Sequence, residues 1–472
     1  MTHRPLYAKK HHHWFSFILI FAMAAFIWYL YPKFSPEKII EQSELKNCTF
    51  SAKVQEITAP KSKIKAYFMP ENTNPIISIH FSFAGAGSIS DNAKLRGLSN
   101  ITAQMLLEGS ANLNSQNFKE ELENYAIEIS YNADYDDFNG SMLTTKDNLP
   151  HAVKLLHNTL ALPLLDAKDF ERIKQQTITH IDRLSEHPSE QLNRKASEII
   201  FAGHPYSYSP LGKKENIRNI TVNDIRNFIS KNLAKDNLYI GIAGDLSTKE
   251  ASEIIDDIFG ELSDKNGIKT PQPPKIDFSL STKDLNENLP QVLTRITAPG
   301  VERLSKEFYP LFIANYIFGG SGLSSRINQA TREKEGLTYG AHTSLSFLKQ
   351  SPLLVGTFST TPQNFARMQE IFRNEWNKMG QEGISPQELK SAKNYLIFSY
   401  NLRFSDISTI AEILAYMQKE NLGKDFLKKR NSYVKNVTLE QVNIAAKKYF
   451  APQAPIIINY GLTEDNHEQE HK

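Results

Sequence analysis

The sequence predicts an α+β protein: a tandem duplication of two homologous domains, each helices packed on a sheet, behind an N-terminal transmembrane helix. Three observations carry this. A register repeats at an offset of 217 residues, a proline-bearing stretch separates the two copies, and an 18-residue run near the N-terminus carries no charge.

The repeat comes first because it sets the organisation. An amphipathic stretch runs from Asn219 to Ala234, and a second runs from Asn436 to Ala451. In each, a threonine (Thr221 or Thr438) stands as N-cap ahead of apolar residues at helical spacing. A β-branched or aromatic run then ends at glycine, YIGIA at Gly244 and IIINY at Gly461. A register kept across a helix, a turn and a strand marks an internal repeat. Between the copies, residues 263–275 (SDKNGIKTPQPPK) hold Pro271, Pro273 and Pro274, which favour an extended linker. The boundaries expected are 48–262 for the first domain, 263–285 for the linker and 286–472 for the second.

Ahead of them, residues 1–47 read as tail, anchor and stalk. The run from Trp14 to Tyr31 is long enough to approach the roughly 30 Å hydrocarbon thickness as a helix. Trp14, Trp28, Tyr29 and Tyr31 sit near its ends, where amphipathic rings meet the interface. Arg4, Lys9 and Lys10 precede it with no acid, so the tail is expected in the cytoplasm and the rest across the membrane. Ala22-Met23-Ala24 resembles a cleavage site, but the apolar run continues through Phe26 to Trp28, which favours an uncleaved anchor.

Composition excludes other classes. With 54 Lys and Arg against 52 Asp and Glu, the net charge is +2, and no nucleic-acid partner is implied. Hydrophobic residues at 40% allow sizeable cores. The single cysteine, Cys48, makes neither an intramolecular disulfide nor a cysteine-based zinc site.

The segment from Arg96 to Ser110 (RGLSNITAQMLLEGS) reads as an amphipathic helix with Leu98, Ile101 and Met105 on one face and Gly109 as its stop. Its frame, GL-x-N-x-x-A-Q-ML-x-x-GS, resembles the active-site helix of the pitrilysin/insulinase family, which includes the mitochondrial processing peptidases. There the helix carries an inverted zinc motif, H-x-x-E-H, in which two histidines bind the metal and the glutamate activates a bound water. Superposed on it, this chain has Asn100, Ala103 and Gln104. The family's third ligand, counted from Gln104, falls on His180. The resemblance therefore implies a degenerate zinc site, with no metal and no general base in this chain. It continues through His204-Pro205-Tyr206 and covers about 64–462.

In the second half, GGSGLSSR (319–326) precedes INQATREKEGLTYGAHTSLSF. A glycine turn is expected to lead through a cap at Ser324 into a helix carrying Ile327 and Arg332 and ending at Gly336, with a strand from Leu337. A phosphate loop is excluded, because no GK[ST] follows and YPLFIANYIF ahead of it reads as helix. The stretch resembles the family's signature R-E-K-x-G-L-x-Y, with every motif residue present. The resemblance implies that Arg332 and Tyr339 bind the substrate backbone beside a zinc held elsewhere, the alternatives being an arginine paired with Glu333 or Glu335 and a buried tyrosine. Some bacterial members of the family divide the two half-sites between chains. By that likeness this chain is expected to be the zinc-less subunit of a heterodimeric metallopeptidase, inactive alone. Its partners would be a homologous H-x-x-E-H subunit carrying the zinc, a peptide substrate, and the bacterial inner membrane, with both domains in the periplasm. The competing reading is a scaffold or chaperone-like peptide binder without a role in proteolysis.

Overall fold

Two sheets of like topology organise the chain in the computed structural model, which describes residues 53–450 and 455–462. The first contains β1 (Gln55–Thr58), β2 (Lys65–Pro70), β3 (Ile76–Ala84), β4 (Glu128–Ala133), β5 (Asp137–Thr145) and β6 (Leu238–Gly244), in the order β1-β2-β6-β3-β5-β4. The second contains β7 (Thr282–Asn286), β8 (Val292–Pro299), β9 (Ala341–Leu348), β10 (Ser351–Thr360) and β11 (Ile456–Leu462), in the order β9-β10-β8-β11-β7. Each sheet has one parallel pairing at the matching place, β2 with β6 and β7 with β11, and is otherwise antiparallel. Apart from the extra β1, the duplication inferred from the 217-residue register is thus written in the strand order. β7 lies at the end of the stretch expected to be linker.

The longer helices of the first half are α1 (Leu98–Met105), α2 (Ser115–Asn124), α3 (Leu149–Ala161), α4 (Ala167–Ser185), α5 (Pro188–Ile200), α6 (Val222–Asn232) and α7 (Thr248–Phe259). Those of the second are α8 (Phe308–Asn315), α9 (Phe365–Glu382), α10 (Pro386–Asn401), α11 (Ile407–Lys419), α12 (Phe426–Lys435) and α13 (Leu439–Phe450). The repeated caps form as expected. Thr221 and Asp224 exchange hydrogen bonds at the start of α6, and Thr438 and Gln441 do so at the start of α13. Gly244, the last residue of β6, and Gly461, the last but one of β11, have φ of +143° and +113°. A Cβ on either would strike a backbone oxygen of the neighbouring strand region, Ile76 O at 2.4 Å and Gln291 O at 2.6 Å.

Each sheet has two apolar faces. One face of the first packs Phe81, Phe83 and Phe138 against α1, α3 and α7, and one face of the second packs Ile296 and Phe358 against α8, α9 and α13 around Trp376. The opposite faces are covered by exchange. Ile410, Ala411, Leu414 and Met417 of α11 lie on Tyr67, Met69 and Ala243 of the first sheet. Reciprocally, Leu192, Ala196 and Ile200 of α5 join Leu353, Ile456, Ile458 and Tyr460 of the second. The described residues consequently pack as one unit.

Polar contacts fix the exchange. The Gln418 side chain donates to Lys65 O (2.7 Å) and accepts from Ile240 N (2.7 Å), and Lys419 pairs with the buried Asp137. The turn between β9 and β10 is held to the first half, with Lys349 N donating to Asp136 (2.9 Å) and Gln350 bonded to His204 (3.0 Å).

The apolar run Trp14–Tyr31 lies outside the described residues, and among the described residues no helix is long and apolar enough to cross a membrane.

The exchange depends on close approach. A Cβ on Gly241, in β6, would lie 2.0 Å from Ala411 O and 2.5 Å from Ala415 N of α11. Gly241→Ala should therefore cost about 1–3 kcal/mol in urea unfolding, as overpacked interiors do. Gly267→Ala serves as control, because its Cβ would meet its neighbours at 3.7 Å or more. Equal stability of the two variants would show that α11 is not seated against Gly241.

Candidate functional site

The first half-site rests on α1. Leu98, Ile101 and Met105 are buried on one face, as the spacing predicts, but the helix ends at Met105 rather than continuing to Gly109. Its N-terminus is capped from outside by Asp91, whose carboxylate accepts from Gly97 N (2.8 Å) and Ser99 N (3.0 Å). Burial pushes that carboxyl up to about 7 against the lowering effect of these bonds. At the other end, the buried Glu108 gathers Lys119 of α2 (3.1 Å) and Arg172 of α4 (2.5 Å), fixing α4 beside α1.

At the motif positions, the Gln104 side-chain NH2 donates to Asn100 Oδ1 at 2.8 Å and to Thr177 Oγ1 of α4 at 3.3 Å. Ala103 is buried beneath them. Thr177, which sequence counting did not single out, is the residue of α4 that meets the pair. His180 lies nearly one turn further on, with its Nδ1 paired to Arg183 (3.0 Å). The donor set does not suit zinc: two neutral amides bond to each other, a hydroxyl stands where the facing helix approaches, and alanine offers no base. Among the described residues no group of three His, Cys, Asp or Glu side chains is placed to hold a metal ion.

The second half-site has a different character. α8 runs into a wider π-type turn at Tyr316–Gly320, then Gly322–Ser324 forms a short turn. The cap is Ser325, not Ser324, and it opens a brief helix at Arg326–Asn328 that widens again into a π-type turn at Gln329–Glu333. Such turns leave the regular ladder and often mark functional places. The strand starts at Ala341, four residues later than expected. Leu337 is spent on bonds from its N to Thr331 O (2.9 Å) and from Thr360 Oγ1 to its O (2.6 Å), and Thr338 bonds the backbone of Gly340.

Asn328, missed in the sequence, holds this loop shut. From a buried position it donates to Gly322 O (2.9 Å) and Ala341 O (2.7 Å) and accepts from Ala341 N (2.8 Å). Its place three residues after the capping Ser325 was the available signal. Arg326 anchors the same turn to α10 through two bonds to Glu388, at 2.6 and 2.7 Å.

On this frame Arg332 and Tyr339 stand free. Glu335 is taken by Arg367 at 2.7 Å, and neither Glu333 nor Glu335 pairs with Arg332, whose side chain has no hydrogen-bond or ion-pair partner among the described residues. Tyr339 is 84% exposed, so it is not a buried strand tyrosine. Next along the chain from Tyr339, Gly340 lines a cavity of about 600 Å³ with Leu323, Asn328, Ala341 and Phe358, and Leu192 and Asn193 of α5 line it too, whereas Arg332 and Tyr339 do not. No hydrogen bond or ion pair joins this half-site to Asn100, Gln104 or His180 among the described residues.

The Arg326–Glu388 pair sets a pH signature. Burial alone would raise the Glu388 carboxyl, but Arg326 and Ser385 outweigh it and hold it at about 2. Because this lies below the ordinary 4.5, the pair's stabilisation is present above pH 4.5 and is lost as pH falls from there through about 2. Thermal melts between pH 5 and 2 should therefore show a smaller loss in Glu388→Gln than in the parent chain. Parallel curves would show that the pair contributes nothing.

Comparison with known proteins places these observations. Residues 72–214 match the insulinase family model (peptidase family M16), and 219–396 match the model of the peptidase M16 inactive domain. A relative from Helicobacter pylori described as non-peptidase homolog YmxG is 24% identical, over 75% of this chain and 81% of its own length. The beta subunit of the mitochondrial processing peptidase of Saccharomyces cerevisiae is 22% identical, over 74% of this chain and 78% of its own length. The crystal structure of a peptidase M16 inactive domain from Pseudomonas fluorescens superposes with a TM-score of 0.80 at 23% identity, covering 87% of this chain and 98% of that one. With both halves matched and the fold shared, the chain belongs to the M16 (insulinase) peptidase family.

Proposed function

We propose that this chain is the non-catalytic subunit of a heterodimeric M16 peptidase, lending Arg332 and Tyr339 to a homologous partner that carries an intact H-x-x-E-H helix. The observation that carries the reading is the contrast between the two half-sites. Asn100 and Gln104 satisfy each other, whereas Arg332 and Tyr339 have donors to spare on a loop locked by Asn328 and by the Arg326–Glu388 pair. Its relatives support the reading from both sides, one described as a non-peptidase homolog and another as a processing-peptidase subunit.

The chemistry assigned to this chain is positioning and charge stabilisation. A guanidinium and a phenol held on a rigid loop can fix an extended peptide and donate to a carbonyl oxygen as negative charge develops on it. Donors aimed at that charge lower the barrier more than they tighten substrate binding. Proton transfer and metal chemistry belong to the partner in this reading.

Arg332→Ala and Tyr339→Phe should each lower the turnover of the assembled complex roughly tenfold or more, as lost oxyanion donors do. The melting temperature and partner binding should stay unchanged, since neither side chain has a partner to lose. Each variant would be co-purified with its H-x-x-E-H partner and assayed on one peptide. Normal turnover per folded complex would reject the split site and leave the scaffold reading in front.

The same reading places both sheets on the far side of a membrane from the basic tail, with the Trp14–Tyr31 run as anchor. Alkaline phosphatase fused after Leu462 should be active in cells. Activity confined to a reporter that works only in the cytoplasm would reverse that orientation.

A further inference from the structure

A second cavity of about 600 Å³ lies under α5, bounded by Arg295 and Val355 of the second sheet, Asn193 and Ser197 of α5, and Leu184 of α4. Arg295 projects from the middle of β8, where it faces Thr357 on one side and Ile458 on the other. Its neighbours along the strand, Thr294 and Ile296, turn the other way and are buried. Arg295 therefore sits on the sheet face covered by α5, inside the molecule.

The arginine is poorly paired there. One guanidinium nitrogen donates to Asn193 Oδ1 at 3.1 Å, the buried Nε has no partner, and no carboxylate pairs with it among the described residues. Other charges in the cavity wall have counter-ions: Lys214 pairs with Asp182, while Arg194 and Lys213 each lie 3.8 Å from Glu198. Glu190 and Glu215 also line the cavity, yet neither is joined to Arg295. The phenol of Tyr135 is the nearby acidic group acting on it, and burial lowers the guanidinium from its ordinary value. An uncompensated charge in a partly dry site is costly. The planar fork that remains open matches a carboxylate.

Position identifies the source of that carboxylate. Asn193 lines both cavities, so the space beside Gly340 and Leu323 and the space around Arg295 adjoin at that residue. On β10, Ser359 and Thr357 border the first cavity and Val355 the second. Four residues of strand span roughly 13 Å, the reach of about four extended peptide residues.

We propose that Arg295 is a carboxylate-binding site for an extended peptide seated by Arg332 and Tyr339, so that this chain selects peptides carrying an acidic side chain or a free C-terminus a few residues from the reacting bond. This rests on the peptide-binding reading above and adds a substrate preference to it.

The test uses the full chain in detergent and fluorescence anisotropy. The probes are one labelled ten-residue peptide with a single glutamate, its Glu→Gln twin, and its C-terminally amidated twin, with inorganic phosphate as competitor. The parent chain should bind the carboxylate-bearing peptide at least tenfold more tightly than whichever twin lacks the group that reaches Arg295. The twin that loses affinity tells side chain from terminus. Arg295→Met should erase that ratio while leaving the melting temperature equal or higher, because it removes a buried unpaired charge. Equal affinity for all three peptides, no binding of any, a ratio that survives in Arg295→Met, or phosphate competing as strongly as the acidic peptide would each overturn the proposal. The ratio is read on this chain alone, so it is separate from the turnover of an assembled complex.

Discussion

The structure depends on a sheet having two faces. Neither half covers both of its own, so α11 crosses to the first sheet and α5 to the second, and each half completes the other. The contact is close enough that Gly241 has no room for a methyl group against Ala411. Lys419 with Asp137, and Gln418 with the backbones of Lys65 and Ile240, place α11 along the strands as well as on them. A duplication that could have produced two independent domains has produced one packed unit.

The same exchange builds the surfaces where a ligand could sit. α5 lines both the cavity that borders Gly340 and the one that holds Arg295. The β9–β10 turn is fixed by Asp136 and Gln350 to the first half. Motion between the halves would disturb these contacts together, so the preorganisation of the second half-site is a property of the whole molecule.

What could be read in the sequence was local backbone chemistry. Thr221 and Thr438 cap helices, and Gly244 and Gly461 end strands, for reasons contained within a few residues, and the duplication followed from them. The missing ligands at Asn100, Ala103 and Gln104 were legible in the same way, from residue type at a known spacing. Features that failed to show depend on distant partners. Gly241 is an unremarkable strand glycine until Ala411 arrives, and Asn328 has no visible task until folding brings Gly322 and Ala341 to it. The residue of α4 bonded to Gln104 is Thr177, three positions before the counted His180, because helix phase decides which side chains of α4 face α1. The strand start slipped from Leu337 to Ala341 because Thr338 and Thr360 spend the intervening backbone on a turn.

The two half-sites have diverged in opposite senses within one symmetric frame. In the first, the amides of Asn100 and Gln104 bond to each other, and in the second the side chains of Arg332 and Tyr339 are left without partners on a locked loop, Tyr339 exposed. The division of labour between homologous chains proposed above would account for both. The most direct measurement is peptide turnover while this chain is titrated into a fixed amount of its purified H-x-x-E-H homologue. The split site predicts negligible turnover by either chain alone and a rise to saturation on mixing. Full activity of the homologue without this chain, or chelator-sensitive proteolysis by this chain alone, would contradict it.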